Sequence, residues 1–253
     1  MDIVVPDRWA SLRQFTDARI ALGRSGVSMP VSETLKLKMA HAHAKDAVFS
    51  VLNKSEISNQ LNELQLPFVF LQSKAINRHV YLQRPDLGRR LSESATETLK
   101  ALQSNDFDVC ITLADGLSAE AVNQHAIPVI TLLKKLFQQK ALRLAPVCIV
   151  EEGRVAVSDD TGSLLNTKLS LVFIGERPGL SSPDSLGAYL TYAPQVGLTD
   201  ERRNCVSNIR PQGLRYEEAA NIIFYLVKES LQLQISGVAL KDNSGKALQS
   251  SAC

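Results

Sequence analysis

Apolar positions change their rhythm about a third of the way along the chain. Up to residue 91 they recur mostly at helical spacing. Trp9, Leu12, Phe15 and Arg19 share one face of a first predicted helix. Gly23, Gly26 and Pro30 then break the chain. Ser32 is the expected N-cap of a second helix, with Glu33 favourable in its first turn and Leu35, Met39, Ala42 and Phe49 following. The polar stretch Asn53–Leu66 adds another helix, and Pro67–Leu71 reads as a brief strand. Arg84–Arg90 has the turn chemistry of a loop and places a boundary after residue 91.

From Ser92 helix and strand alternate, which argues for a parallel sheet. A helix over Glu93–Leu102 leads to a strand at Phe107–Leu113 and a turn at Ala114–Ser118. Ser118 caps a helix carrying Ala119, Ala121 and Val122; Pro128 ends it and opens another, striped by Val129, Leu132, Leu133, Leu136 and Phe137. Strands are expected at Ala145–Val150 and Lys168–Ile174, with a short β-like Arg154–Val157 and a helical turn at Ser158–Asn166 between them. Gly175 to Pro211 is rich in loop signals, and loops this long are usually functional. Glu217–Leu233 is an amphipathic helix whose Ala219, Ile222, Ile223, Leu226, Val227 and Leu231 line one side. The expected division is a mainly helical segment 1–91, an α/β segment 92–242 and a frayed tail 243–253.

The stretch Gly175-Glu176-Arg177-Pro178-Gly179-Leu180 is the strongest candidate for function. It leaves a short apolar strand, and ligands of open α/β sheets sit outside the carboxyl ends of strands. The glycines on either side of Glu176 and Arg177 permit close approach to the backbone. Asp115-Gly116 stands at the exit of another strand, where backbone N–H groups face an anion or amide.

Composition narrows the field. The chain has 253 residues, 45% hydrophobic and 21% charged, as in an ordinary globular protein. A net charge of +2 gives no reason to expect nucleic acid or an anionic membrane as partner. No apolar run is long enough for a membrane span. The N-terminus lacks the basic start and apolar core of a secretory signal. Cys110, Cys148, Cys205 and Cys253 show no CxxC spacing, and the first two lie in apolar runs, which suits reduced thiols in a cytosol.

No GxGxxG, GxxxxGK[ST] or GxSxG occurs, so a standard phosphate loop or nucleophile elbow is unsupported. His41 and His43, two apart on a helix, point to different faces and make no metal pair. His79 is isolated, and His125 reads as a residue of the C-terminal turn of a helix that ends at Pro128, favoured there by the dipole rather than acting as a base. Cys205 is flanked by Arg202 and Arg203, which lower a thiol pKa, but no histidine base is near in sequence; a packed contact is preferred to a nucleophile.

Several stretches resemble the small subunit of ethanolamine ammonia-lyase, a bacterial adenosylcobalamin-dependent enzyme. They are Phe15–Arg24, His41–Val48, Tyr81–Leu91, Ala114–Ala119, Ile174–Leu180 and Cys205–Pro211, in the order of that family. The resemblance implies an α/β fold class: a helical N-terminal part followed by a Rossmann-like three-layer domain with a mainly parallel sheet. It implies a larger barrel subunit as partner, holding substrate and the main catalytic residues, in a hexamer of large–small pairs. The reaction implied is ethanolamine to acetaldehyde and ammonia, begun by homolysis of the cofactor's cobalt–carbon bond. The cofactor carries that chemistry, and protein supplies binding and orientation.

In that family three small-subunit positions bind cobalamin between the subunits. They fall here on Val155 of Gly153-Arg154-Val155, on Glu176 and on Cys205. The roles expected are apolar or backbone contact for Val155, hydrogen-bond acceptance for Glu176 and a packed contact for Cys205, with Asp115 and Ser118 bordering the cleft. No histidine stands in an Asp-x-His-x-x-Gly frame, so the cofactor's own dimethylbenzimidazole is expected on cobalt. The arm before Trp9 is short beside that of some relatives, and no encapsulation peptide is legible. The expected location is the cytoplasm, free or inside a bacterial microcompartment. Two other readings remain open from sequence: a non-catalytic cobalamin-binding scaffold, and a stand-alone α/β enzyme using Cys205.

Overall fold

The computed structural model describes residues 4–104 and 107–245, so Cys253 and most of the tail lie outside the described residues. Among the described residues the strands are β1 (Phe68–Gln72), β2 (Val109–Ala114), β3 (Val147–Glu151), β4 (Leu169–Gly175), β5 (Leu186–Tyr192) and β6 (Arg203–Ile209). They form one sheet in the order β1-β3-β2-β4-β5-β6. The first four in that order run parallel; β5 and β6 are antiparallel to their neighbours. The helices are α1 (Val31–Phe49), α2 (Lys54–Glu63), α3 (Arg78–Gln83), α4 (Glu93–Ala101), α5 (Ala119–Gln139), α6 (Val157–Leu164) and α7 (Tyr216–Leu233). The α/β architecture is the one expected, with β1 reaching into the sheet from within the first 91 residues.

Alternation along the strands assigns the two faces. Val109, Ile111 and Leu113 of β2 pack with α2, α5 and α7 in the larger core, around the fully buried Ile130, Leu133 and Phe137. Cys110, Cys148 and Val150 point the other way, into a smaller core with Ala95 and Leu99 of α4 and Val157 of α6. Each fully buried side chain of the Leu, Ile or Phe class contributes roughly 1.5–3 kcal/mol. The helix after β2 thus covers one face and the helix after β3 the other. Neighbouring strands whose exits part in this way leave a crevice between them.

Several expectations are corrected. Of the first predicted helix only Ala10–Phe15 coils, as a short 3-10 helix. α1 starts at Val31, with Pro30 at its N-cap position, so Ser32 lies in the first turn and caps nothing. α5 runs unbroken through Pro128. Proline removes one backbone hydrogen bond there, but Val122, Ile127, Val129, Ile130 and Leu133 are buried on both sides of it, and that packing holds the helix together. Arg154–Val157 is a turn into α6, not a strand. The stretch from Gly175 to Pro211 contains β5 and β6. Prolines and glycines mark the turns around them, and β6, on the sheet edge, carries Arg203, Asn204, Ser207 and Asn208, which hide its apolar alternation. Ser118 does cap α5, accepting from the Ala121 N–H at 3.4 Å.

Cys110 and Cys148 are buried free thiols with sulfurs 4.0 Å apart, and Cys205 is an exposed one. No helix among the described residues is long and apolar enough to cross a membrane.

Candidate binding cleft at the strand ends

A cleft of about 680 Å³ opens where β2, β3 and β4 end. Gly116 and Leu117 enter from the β2 exit, Arg154 and Val155 from the β3 exit, and Glu176 and Arg177 from the β4 exit. Tyr81 of α3, Ser182 and Ser185 ahead of β5, Tyr189 of β5, and Ser207, Asn208 and Arg210 at the end of β6 complete it.

Two glycines set its floor by packing backbone on backbone. Gly116 has φ +58°, and a Cβ there would lie 2.3 Å from the Gly175 carbonyl oxygen. A Cβ on Gly175 would lie 1.9 Å from the Ser118 carbonyl oxygen. The Leu117 N–H donates to Gly175 O at 2.9 Å across the same contact. Gly175 is therefore required by the fold and not, as its place in the motif indicated, by the approach of a ligand.

Glu176 is partly buried and joins three elements. Its carboxylate accepts from Ser185 Oγ, from Ser207 Oγ at 2.7 Å and from the Asn208 N–H at 3.1 Å. It thus laces the β4 exit to the end of β6. Arg177 beside it is exposed and forms no ion pair or hydrogen bond among the described residues, so the two do not neutralise each other. Val155 packs with Ala114, Val172, Ile174 and Tyr189 into an apolar wall. Cys205 sits opposite Tyr189 in the β5–β6 register. It is exposed, yet crowding by neighbouring atoms raises its thiol pKa, and the charge of Glu176 adds to that rise. Val155 and Glu176 therefore share one cleft, with Cys205 beside its Tyr189 edge.

Asp115 and Ser118 support the cleft from below. Asp115 Oδ2 accepts from the Glu152 N–H at 2.9 Å and Oδ1 from the Gly153 N–H at 3.0 Å, which fixes the β3 turn against the β2 exit. Burial, then the nearby charge of Glu152, raise the Asp115 pKa to about 7. Arg78 Nη1 answers that cluster, 3.1 Å from Glu152 Oε2 and 3.7 Å from Asp115 Oδ2, and donates to Gly116 O at 2.8 Å. Ser118 Oγ donates to Pro183 O at 3.0 Å and holds the lip between β4 and β5.

Sequence reasoning missed part of the site. Two guanidinium groups lie over the Tyr81 ring, Arg154 at 4.1 Å and Arg78 at 4.7 Å from its centroid. Such cation–π stacking holds Arg154 along the wall. Arg154 Nη2 donates to Tyr81 O at 3.1 Å, while its Nε is buried with no partner. His125 is not a helix-end residue. It is buried in the second turn of α5, with Nδ1 2.8 Å from Tyr216 Oη and Nε2 3.1 Å from Asp184 Oδ2, so it ties the lip to the core. Adjacency in Gly153-Arg154-Val155 and Val206-Ser207-Asn208 was the available signal for Arg154, Ser207 and Asn208; nothing local marked His125 or Asp184. None of the four histidines lines the cleft, and no cluster of three metal-ligating side chains occurs among the described residues.

The arrangement has no nucleophile paired with a base. It offers an apolar wall, a rim of hydroxyls and guanidinium groups, and an orphaned buried donor, which suits binding better than catalysis. The family model described as "Ethanolamine ammonia-lyase light chain (EutC)" matches residues 6–241. The small subunit of ethanolamine ammonia-lyase from Pseudomonas syringae pathovar tomato is 50% identical over 239 residues, covering 93% of this chain and 83% of that protein. Those from Pseudomonas aeruginosa and Xanthomonas campestris are 49% and 48% identical, each across 96% of this chain and 90% of the relative. A match of that extent is not confined to the cleft motifs, and the chain belongs to the ethanolamine ammonia-lyase light-chain family.

Proposed function

We propose that this chain is the small subunit of an adenosylcobalamin-dependent ethanolamine ammonia-lyase and that its cleft forms one wall of the cofactor site. The observation that carries this reading is the convergence of Val155 and Glu176, with Cys205 alongside, at the strand exits of a chain in that family. When bound, adenosylcobalamin supplies the radical chemistry that turns ethanolamine into acetaldehyde and ammonia. This chain's residues bind and orient. The wall of Val155, Ile174 and Tyr189 excludes water from an apolar flank. Arg154 Nε offers an unused donor to a phosphate or amide oxygen. Glu176 keeps the rim in shape through Ser185, Ser207 and Asn208 and presents its one remaining lone pair, on Oε1, to an amide or hydroxyl donor.

The fit also explains why a second chain is needed. A cleft of about 680 Å³ is the size that encloses a drug-like ligand. A corrinoid with its nucleotide tail is larger than that, so this chain covers one side and the large subunit, with the main catalytic residues, covers the other. Assembly as a hexamer of large–small pairs, in the cytoplasm or within a microcompartment, belongs to the same proposal. The absence of histidine from the cleft supports retention of the cofactor's own base on cobalt.

Reconstitution tests the reading. Acetaldehyde should form from ethanolamine only when the large subunit, adenosylcobalamin and this chain are all present. Full activity without this chain, with both proteins folded, would refute it and favour the scaffold reading. Nitrogen-15 labelling of the protein should leave the cobalt hyperfine pattern of the reduced cofactor unchanged, because no protein nitrogen binds the metal.

A further inference from the structure

Asp159 and Arg203 form an ion pair shut off from water. Asp159 lies in the first turn of α6 and Arg203 opens β6, and their side chains are 2% and 1% exposed. The contact is bidentate: Arg203 Nη1 donates to Asp159 Oδ1 and Nη2 to Oδ2, each at 2.7 Å. Arg203 also donates through Nη1 to Thr191 Oγ1 at 3.1 Å, through Nη2 to Leu198 O at 3.2 Å and through Nε to Asp200 Oδ1 at 3.3 Å. All five of its guanidinium N–H groups are thus satisfied. Sequence alone sets this arginine beside the Cys205 thiol; the fold turns it inward. A buried pair gains little stability that packed apolar residues would not match, because both charges lose their hydration. Its two parallel hydrogen bonds do what packing does not: they fix the distance and angle between the elements that carry them.

Those elements carry the apolar side of the cleft. Asp159 follows Val155 by four residues, and Ser158 closes the turn between them, with its N–H and Oγ donating to Val155 O at 3.2 and 2.9 Å. Arg203 precedes Cys205 by two residues on β6, and their register partners on β5, Thr191 and Tyr189, are also two apart. Side chains two apart on a strand share a face. Tyr189 and Cys205 therefore border the cleft while Thr191 and Arg203 stand directly behind them. Val155 meets Tyr189 in the apolar wall, and Asp159 meets Arg203 one layer deeper across the same gap. The other flank of the turn is held as well. Asp160 accepts from the Leu91 N–H at 2.8 Å and from Arg90 Nε at 3.1 Å, and the Arg154 N–H donates to Gly88 O at 2.7 Å.

We infer that Asp159 and Arg203 are positioning residues for the cofactor site: their ion pair sets the separation between the Val155 wall and the Tyr189–Cys205 edge. This rests on the proposed cofactor reading. Neither side chain lines the cleft, so both act through the residues in front of them.

The test uses the full chain assembled with its cognate large subunit, with adenosylcobalamin titrated in and followed by visible absorption. Arg203→Lys keeps the charge but gives up the bidentate contact. It should weaken cofactor binding roughly tenfold and leave the KM for ethanolamine, measured at saturating cofactor, within about twofold. Phe137→Leu, in the last turn of α5 and away from the strand exits, lowers stability by opening a cavity; it should bind the cofactor as wild type does. Asp159→Leu combined with Arg203→Met removes both charges and keeps the bulk. That double variant should melt near the wild type, since no charge is left stranded, yet bind the cofactor roughly tenfold more weakly. Wild-type affinity in either pair variant, or equal losses in Arg203→Lys and Phe137→Leu, would overturn the inference. A wild-type complex that assembles but takes up no cofactor would instead refute the cofactor reading, and this inference with it.

Discussion

The cleft region and the first fifty residues are built on opposite terms. Around the cleft nearly every polar group has its partner within the chain: Asp115 with two backbone N–H groups, Glu176 with three donors, His125 with Tyr216 and Asp184. In residues 4–51 many large apolar groups lie in solvent, and Trp9, Phe15, Leu35, Met39 and Phe49 stay more than half exposed. One region is satisfied by its own fold; the other leaves large apolar side chains in solvent. Mutations should therefore damage folding in the first region and leave it nearly unchanged in the second.

Gly175→Ala should produce the largest effect. Its new methyl group would meet the backbone of Ser118 and Asp115, which cannot rotate away. A loss of about 3 kcal/mol or more is expected, read as a fall in the denaturant midpoint of the isolated chain. A variant of wild-type stability would show that the strand exits are looser than this packing requires.

Glu176→Gln sharpens the comparison, because it alters the cleft without removing bulk. One carboxylate oxygen becomes an NH₂ facing hydroxyl and N–H donors. Cofactor affinity should fall about tenfold or more as a charged hydrogen-bond centre is lost, with acetaldehyde still the product. Unchanged affinity in a cofactor titration of the complex would remove Glu176 from the site.

Asp115→Asn has a smaller effect with a pH signature. In the folded chain Asp115 holds its proton up to about pH 7, against an ordinary value of 3.8. The folded state therefore binds more protons between those values, and this residue's contribution makes stability fall as pH rises through that window. Asn removes that slope but supplies one acceptor where two N–H groups need one, at a cost of about 1 kcal/mol. Denaturant midpoints of both proteins from pH 4 to pH 8 would check this; parallel curves would contradict it. At the small end, Leu35→Glu should change the isolated chain's stability by less than about 0.5 kcal/mol. A loss of several kcal/mol would mean that α1 is packed inward after all.

How much of this was legible in sequence follows the same division. The parallel strands and α7 were readable because burial on both faces, or one clean stripe, leaves a strong apolar period. β6 was hidden because an edge strand bordering a cleft needs polar residues at positions that otherwise alternate. Pro128 misled because packing on both flanks outweighed one missing backbone hydrogen bond. Val155 came from family resemblance alone, whereas physical reading had already reached the Glu176 loop, the Asp115-Gly116 turn and Cys205 as a packed contact. His125 was missed because its partners, Asp184 and Tyr216, lie 59 and 91 residues away.

The central claim is that this cleft is a wall of the cofactor site. Val155→Trp tests it most directly by filling the cleft from its apolar side while leaving Glu176 and its partners in place. Adenosylcobalamin would be titrated into the assembled two-subunit complex and followed by its visible absorption. The account predicts that the variant assembles and folds as wild type but binds the cofactor at least tenfold more weakly. Wild-type affinity in an assembled Val155→Trp complex would contradict it and place the cofactor elsewhere.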